Sequence, residues 1–357
     1  MPMSSTMRMR CFHLTAFHQP LLPVDRPMPV PTGTQVVLQV LAAGVCHSDL
    51  HVQDGHVDLG NGQVASFEAR CKLPLTLGHE TTGTVVALGP DATGVALGDK
   101  ALVCGWIGCG QCAFCRQGDE HYCADSRFLG VSRDGGFADH IVVPHSRYLI
   151  ELAGLDPVAA APLACAGLTT YSALKKAGAL LAQQPIVVIG AGGLGLMALN
   201  VLRLMGGHGA VVLEIDPAKR QAALAAGALA AIDPAAADAD AQVRLAVGGP
   251  VVFVLDFVGS AATASQGFRL LDRGGKLLVV GLLGGAMSLP VPLLAIKAAS
   301  IQGCYIGSPG ELRELMALVR DKGMPAVPLD RRPLEAANQA MDDLRAGRVV
   351  GRVVLIP

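Results

Sequence analysis

Aromatic residues, an excess of charge of either sign and long uninterrupted apolar runs are scarce or missing in this chain. Aromatic side chains make up only 4% of the 357 residues, and the formal net charge at pH 7 is -1. With a sequence pI of about 6.8, nothing points to nucleic acid or to an anionic membrane surface as a partner. We therefore expect the protein to bind neither nucleic acid nor a membrane.

A signal peptide and a membrane span are also not indicated. Residues 1–10 lack the apolar core and the cleavage pattern of a signal peptide. The stretch 186–202 is apolar, but four glycines break it, and a strand, a turn and a buried helix explain it better than a span. We expect a cytoplasmic protein. Ten cysteines in such a chain are more readily metal ligands and free thiols than disulfides.

What the chain does contain is the texture of an α/β protein with more than one domain. The hydrophobic share is 51%, carried by Ala, Val, Leu and Gly, as in buried parallel strands and closely packed helices. Short β runs separated by Gly and Pro fill residues 1–157. Strands then alternate with Ala- and Leu-rich helices over residues 158–298, which predicts a doubly wound parallel sheet. Residues 299–357 are predicted to return to the first domain.

A glycine-rich turn follows the first predicted strand of the second domain and opens a helix. It reads G-x-G-x-x-G, formed by Gly190, Gly192, Gly193, Leu194 and Gly195 with Ala191 between the first two glycines. Such a turn lets a pyrophosphate approach the free N–H groups of a helix N-terminus. The pattern predicts a dinucleotide site.

Glu214 ends the next predicted strand, where a carboxylate accepts hydrogen bonds from the ribose hydroxyls and repels a 2′-phosphate. We therefore expect NAD rather than NADP. Asp216 is the second choice for the ribose ligand. Lys219 and Arg220 are the counter-argument, because they would favour a phosphate if the turn folded back.

Four cysteines lie close together at the spacing C-x2-C-x2-C-x7-C: Cys109, Cys112, Cys115 and Cys123. Four thiolates can close on one tetrahedral zinc ion and leave no open position. An iron–sulfur cluster is the alternative, but the proline that follows the last cysteine of the bacterial ferredoxin run is replaced here by Ala124. The spacing predicts a structural zinc.

A second set of ligands is spread over three segments, at Cys46, His79 and Cys165. Two thiolates and an imidazole form a three-ligand zinc set whose fourth position stays open for water or substrate. Ser48 and His51 follow Cys46 closely, and a hydroxyl and an imidazole can pass on an alcohol's proton. Taken alone, a cysteine near a histidine is more often an ordinary buried pair; the other motifs favour a metal site.

Together, and in this order, these motifs resemble those of the zinc-dependent alcohol dehydrogenases of the medium-chain dehydrogenase/reductase superfamily, over essentially the full length. The resemblance implies a GroES-like β-rich catalytic domain interrupted by a Rossmann domain. It implies a catalytic zinc on Cys46, His79 and Cys165, with Ser48 receiving the alcohol's proton and His51 relaying it. Asp49 resembles the carboxylate that orients the zinc-bound histidine, and Glu80 resembles the carboxylate behind the zinc.

The same resemblance implies two zinc ions and NAD per chain, and a small alcohol, aldehyde or ketone as substrate. Hydride would pass from a zinc-bound alkoxide to the nicotinamide. Thr169 matches a position near the nicotinamide, while His47 and Arg352 resemble positions that reach the cofactor's phosphates. Dimers or tetramers are expected. Two rival classes remain: a zinc-free quinone or enoyl reductase of the same superfamily, and a non-enzymatic NAD-binding protein.

The stretch 54–72, between the first two ligands, is polar and shows no clear periodicity. We interpret it as a surface loop, longer than in many relatives. A long loop beside a site often shapes substrate access, and a surface insertion without a role at the site is an equally good interpretation.

Overall fold

The computed structural model describes residues 8–357, and residues 8–151 are dominated by antiparallel strands. Strands and helices of this part have the following bounds: β1 Arg8–Leu14, β2 Leu22–Pro27, β3 Val36–Val45, α1 His47–Asp54, β4 His56–Gly60, β5 Gln63–Ser66, β6 Leu75–Thr76, β7 Glu80–Leu88, β8 Lys100–Cys104, α2 Ala113–Gln117, β9 His140–Val143 and β10 Leu149–Glu151.

The middle of the chain alternates strands and helices, as its sequence predicts. Its elements are α3 Pro157–Ala160, α4 Ala166–Lys175, α5 Leu180–Gln183, β11 Ile186–Ile189, α6 Gly193–Leu204, β12 Ala210–Leu213, α7 Pro217–Ala225, β13 Ala230–Ile232, α8 Ala239–Val247, β14 Phe253–Asp256, α9 Ala261–Leu270, β15 Lys276–Val279, α10 Val291–Ile296 and β16 Ser300–Gly303. The end of the chain adds α11 Pro309–Lys322, β17 Leu329–Pro333, α12 Ala337–Arg345 and β18 Arg352–Ile356. Single 3-10 turns span Glu120–Tyr122, Ser146–Tyr148, Ala161–Ala164 and Leu334–Ala336.

The middle elements build a six-stranded sheet in the order β13-β12-β11-β14-β15-β16, in which every neighbouring pair is parallel. All four residues of β11 are buried, because helices cover both faces of such a sheet. Ile186 and Val188 pack into one hydrophobic cluster, and Val187 and Ile189 into another on the opposite face. The sheet extends past residue 298, since β16 pairs with β15. This strand therefore lies outside the C-terminal return to which the sequence analysis assigned it.

The last strands do return to the first domain. Its main sheet has the order β10-β8-β7-β3-β18-β17, with β9 also paired to β3. Strand β18 is antiparallel to β3, and Val353 lies opposite Val45. This register brings Arg352 next to Cys46, although the two residues are far apart in the sequence. A smaller sheet, β2-β1-β6, packs beside the main one.

The expectation that residues 54–72 form an irregular loop is wrong. Asp54 is the last residue of α1, and β4 and β5 pair as an antiparallel hairpin with His56 opposite Ser66. The hairpin has almost no buried face, so its strands lack the inward apolar alternation that identifies a strand in a sequence.

Candidate active site and zinc centres

The predicted catalytic zinc ligands come together. Single ligand atoms from Cys46, His79, Glu80 and Cys165 all lie within 4.8 Å of one another, and all four residues are buried. Cys46 caps α1 directly after β3, His79 precedes β7, and Cys165 precedes α4. Three element ends therefore meet at one point, where the backbone is free to turn each side chain inward.

Asp49 positions two members of this cluster. Its Oδ2 accepts the backbone N–H of Cys46 at 2.9 Å, which caps α1, and its Oδ1 lies 3.3 Å from Nδ1 of His79. Both ring nitrogens of His79 are buried and form no hydrogen bond among the described residues, and only Nδ1 has a carboxylate within 4 Å. A buried nitrogen without a partner costs free energy unless something binds it. The residues present therefore fit a zinc ion held by Nε2 and two thiolates.

Glu80 is tied to the protein through both oxygens. Its Oε1 accepts the N–H of Ala166 at 3.2 Å, and its Oε2 accepts a hydrogen bond from Arg352 at 2.5 Å. Burial raises the pKa of Glu80 to about 7, against the opposing effect of the Arg352 guanidinium. Gly44 lies opposite Glu80 in the sheet, and a Cβ there would be 2.9 Å from Cβ of Glu80. Since its oxygens are occupied, Glu80 lies beside the three-ligand set and is not needed to complete it.

The four-cysteine lobe also has the geometry of a zinc site. The sulfur of Cys112 lies 3.4 Å from that of Cys115 and 3.8 Å from that of Cys123. The sulfurs of Cys109 and Cys115 are 3.9 Å apart. A tetrahedron with Zn–S bonds of about 2.3 Å requires separations of roughly 3.8 Å. Backbone N–H groups of Gln111 and Cys112 lower the pKa of Cys109 to about 6, which favours the thiolate that zinc needs.

The sequence analysis missed a buried carboxylate behind this lobe. Glu120 accepts the N–H of Gly108 at 2.9 Å and the hydroxyl of Tyr148 at 2.7 Å. Burial raises the pKa of Tyr148, and the Glu120 carboxylate raises it further. Glu120 thereby ties the start of the lobe to the main sheet. Its position between Cys115 and Cys123 was the only signal in the sequence.

The glycine turn is built as the motif predicts. Gly190 has φ +93°, and Gly195 packs directly on the carbonyl of Gly190, so neither position accepts a side chain. Nothing lies within 4 Å of a Cβ placed at Gly192, so the turn is open on the side where a pyrophosphate would bind. Arg352 packs against Gly193, and its buried Nε has no protein partner among the described residues. The turn, with this donor, fits a dinucleotide.

Glu214 lies just past the end of β12 and is buried. Its Oε2 accepts the N–H of Ala191 at 2.7 Å, and its Oε1 accepts the N–H of Asp216 at 2.9 Å. The carboxylate is thus fixed at the edge of the glycine turn. Asp216 caps α7, because its Oδ1 accepts the N–H groups of Ala218 and Lys219, and it stays the second choice for the ribose ligand.

The remaining predicted cofactor contacts border the same cleft. Thr169 is buried in the first turn of α4 and donates its N–H to the carbonyl of Cys165 at 2.8 Å. His47 is the first residue of α1 and is exposed. Partial burial lowers its pKa, and the cations of Arg352 and Lys219 contribute to the same shift. Of these cations, Arg352 also packs against the glycine turn, at Gly193.

Ser48 and His51 share one helix with the first zinc ligand. The hydroxyl oxygen of Ser48 lies 3.8 Å from the sulfur of Cys46, and His51 is half-buried. Burial lowers the pKa of His51, so its imidazole is neutral and able to accept a proton at lower pH than an ordinary histidine. No direct hydrogen bond joins the two side chains within residues 8–357. Their part in a proton relay stays a prediction.

Two family matches cover most of the chain. Residues 32–153 match the alcohol dehydrogenase GroES-like domain, and residues 193–321 match the zinc-binding dehydrogenase family. A protein named NAD-dependent alcohol dehydrogenase from Sulfurisphaera tokodaii is 36% identical over 98% of this chain and 100% of its own length. The chain belongs to the zinc-type alcohol dehydrogenases.

Other members of this family agree over the full length. A protein of the same name from Saccharolobus solfataricus is 35% identical, covering 98% of this chain and 100% of the relative. The solved alcohol dehydrogenase of Aeropyrum pernix superposes with a TM-score of 0.87 at 33% identity, over 98% of this chain and all of that one. The predicted fold class, a GroES-like domain with a Rossmann parallel sheet, is confirmed.

An aromatic wall beside the catalytic cluster was not predicted for this dehydrogenase. The ring centroids of Trp106 and His79 are 5.1 Å apart, those of Trp106 and Phe128 5.2 Å, and those of Phe128 and Tyr305 6.5 Å. The indole N–H of Trp106 donates to the carbonyl of Ala164 at 2.8 Å. The wall combines residues from both domains, so only the folded chain reveals it.

Within the described residues, no single helix is long and apolar enough to cross a membrane. Only a bent pair, Pro157–Ala164 with Ala166–Lys175, meets the requirement by length and composition. All ten cysteines are free. The cytoplasmic location stays a prediction.

Proposed function

We propose that this protein catalyses the reversible, NAD-linked oxidation of alcohols to aldehydes or ketones. The observation that carries the proposal is the link between two sites through one residue. Arg352 donates to Glu80 in the catalytic cluster and packs on Gly193 in the phosphate turn. The zinc ligands and the cofactor turn thus face one cleft. An assay of NADH absorbance over a panel of aliphatic, aromatic and secondary alcohols tests it, with kcat/KM naming the substrate.

Each group in the cleft then has a defined task. Zinc on Cys46, His79 and Cys165 supplies a Lewis acid for the substrate oxygen, and NAD supplies the hydride acceptor. Ser48 accepts the proton that leaves the alcohol, and His51, a half-buried residue one turn further along the same helix, passes it to solvent. Asp49 keeps the His79 ring in place.

Replacing His51 with glutamine should lower kcat mainly on the acidic side of the pH profile. The lowered pKa of His51 keeps it neutral, and hence a base, in mildly acidic solution. Without it, the proton must pass to water or hydroxide, which becomes easier as pH rises. We expect a loss of about 10²-fold at low pH that shrinks in alkaline solution. His140→Gln, on a strand of the main sheet, is the control; a His51 variant with the wild-type profile would remove His51 from the relay.

Cofactor choice should depend on Glu214. Its carboxylate is fixed by Ala191 and Asp216, so a 2′-phosphate would meet a buried like charge. Arg220, one of the two residues that form the counter-argument from the sequence, is already engaged, because its guanidinium donates to the carbonyls of Glu214 and Ile215 and lies 3.2 Å from Asp233. Lys219, the other residue, has no such ion pair among the described residues. The contacts of Glu214 and Arg220 support a site that selects NAD.

We expect wild type to prefer NAD by at least about tenfold in kcat/KM, and Glu214→Ser to lose most of that preference. Asp216→Ser is the matched control, because Asp216 caps α7 and a serine also serves as an N-cap. Equal use of NADP by wild type would show that the carboxylate does not select.

A second copy of the chain is the proposed partner, at the open edge of the parallel sheet. All residues of β16 are exposed, and exposed apolar side chains surround it, among them Val291, Ile296 and Ile301. A free strand edge is complementary to itself across a twofold axis.

Ile301→Lys should therefore convert an oligomer into a monomer, as measured by light scattering. Leu245→Lys, an equally apolar and more exposed position on α8, is the control; an unchanged mass for Ile301→Lys would place the interface elsewhere.

A further inference from the structure

The hairpin formed by β4 and β5 projects from the catalytic domain with one unexpectedly buried residue. All four residues of β5 are exposed, and β4 is at most half-buried except at its last position, Gly60. The base of the hairpin is fixed, because Phe67 donates its N–H to the carbonyl of Gly55 at 2.7 Å and Arg345 clamps Asp54 at 2.8 Å. Something outside the hairpin must therefore cover Gly60.

The covering segment comes from the cofactor domain. A Cβ placed at Gly60 would overlap the backbone nitrogen of Ala286 and lie 2.7 Å from the carbonyl carbon of Gly285. In the reverse direction, a Cβ at Gly284 would lie 2.8 Å from both Cβ and the carbonyl oxygen of Asp58. Backbone thus meets backbone across the cleft, with no space for a side chain on either glycine.

The receiving turn, residues 284–286, is anchored to the cofactor site. Leu283 and Gly284 donate their N–H groups to the carbonyls of Val258 and Gly259, at 3.1 and 3.0 Å. The side chain of Val258 in turn packs on Gly190: a Cβ there would be 2.8 Å from its Cγ2. The turn is therefore fixed relative to the phosphate-binding glycines.

A buried carboxylate holds these loops in place. Asp256, which is 0% exposed, accepts the N–H groups of Val258 and Gly259 at 2.9 Å each and the hydroxyl of Thr263 at 2.8 Å. The loops follow β14 and β15, at the carboxyl edge of the sheet next to β11, where a dinucleotide binds in this class of fold. The turn that covers Gly60 is thus anchored at the edge of the sheet where the cofactor would bind.

We propose that the contact of Asp58 and Gly60 with residues 284–286 sets the position of the zinc-bearing domain relative to the nicotinamide, and that Gly60 is a positioning residue for hydride transfer. The hairpin follows directly from α1, the helix that Cys46 caps, so a single helix joins it to the first zinc ligand. The proposal rests on the proposed function, because hydride transfer joins an atom held by each domain. A misplacement of about 1 Å can cost 10²-fold in rate.

The hairpin supplies its own matched control. Gly60 and Gly62 both have positive φ, +82° and +75°, in the same turn region, but nothing lies within 4 Å of a Cβ at Gly62. Gly60→Ala and Gly62→Ala therefore impose the same kind of backbone strain, and only the first also forces the two domains apart.

We would compare wild type and both variants with benzyl alcohol and its α,α-dideuterated form, and measure NADH release by stopped-flow fluorescence. Gly60→Ala should lower kcat about tenfold, raise the primary isotope effect on kcat because hydride transfer becomes slower, and speed NADH release severalfold. Zinc content should stay at the wild-type value. Gly62→Ala should stay within about twofold of wild type in every measurement.

A second pair tests the contact from the other domain and guards against a folding defect. Gly284→Ala should reproduce the Gly60→Ala signature, while Gly274→Ala, also at positive φ but with nothing within 4 Å at the opposite end of β15, should not. Equal isotope effects and NADH release for Gly60→Ala and Gly62→Ala, or loss of zinc from Gly60→Ala, would overturn the proposal. NADH release needs no turnover, so a wild type that oxidises no alcohol would count against the proposed function alone.

Discussion

A Cys46→Ala protein should fold normally, hold one zinc ion per chain instead of two, and lose at least about 10³-fold in kcat/KM for alcohol oxidation. The sulfur lies within 4.8 Å of the ligand atoms of His79 and Cys165, and two ligands hold zinc much less tightly than three. The fold should survive, because the cap of α1 uses the backbone N–H of residue 46 and the carboxylate of Asp49, both of which remain. Metal analysis and the NADH assay measure the two outcomes on the same sample.

Cys11→Ala is the control for this experiment. Cys11 is a fully buried thiol on β1, outside both cysteine clusters, so its replacement removes the same atom without touching a proposed ligand. It should keep two zinc ions and wild-type turnover. A Cys46→Ala protein with two zinc ions and unchanged kcat/KM would exclude Cys46 from the metal site. A Cys46→Ala protein that keeps two zinc ions but loses turnover would show instead that Cys46 acts in the reaction and is not needed to hold the metal.

The parts of the site that were predictable from the sequence are those whose chemistry is local. The glycine turn and the four-cysteine lobe each lie within a short segment, and the spacing itself encodes the geometry that a pyrophosphate or a zinc ion requires. The three catalytic ligands are farther apart; their residue types suggested a three-ligand zinc set, and the family resemblance assigned the catalytic zinc to them. The structure brings them together because each lies where a strand or helix begins or ends.

The parts that could not be predicted depend on contacts between distant segments. Arg352 meets Glu80 across 272 positions, and Trp106 lines the site only because its indole donates to Ala164. The β4–β5 hairpin was not predicted, for a different reason. Its strands are exposed on both sides, so no apolar alternation marks them, and the burial of Gly60 comes from the other domain. The pattern of apolar residues in a sequence indicates which face of a single strand or helix is buried. Contacts between domains depend on the whole fold and leave no such pattern.

The structural zinc should be essential for the stability of the four-cysteine lobe, as the catalytic zinc is for turnover. Helix α2, within the lobe, has no buried residue, and the four cysteines with Glu120 are its main attachments. A lobe without a core of its own depends on metal binding for its folding free energy, which reaches roughly 10–16 kcal/mol for structural zinc in small peptides. Cys112→Ala should therefore lose this zinc and unfold the lobe.

Limited trypsin digestion measures this local unfolding, because Arg116 and Arg127 lie in and directly after the lobe. We expect cleavage there to become at least about tenfold faster than in wild type or in Cys11→Ala, together with a lower unfolding temperature and a zinc content of one per chain. The remaining zinc should still be lost when Cys46 is replaced as well, since the two sites use separate ligands. If Cys112→Ala keeps two zinc ions and resists trypsin as wild type does, then Cys112 is not needed to hold the metal, and the four thiols do not act together as one structural zinc site.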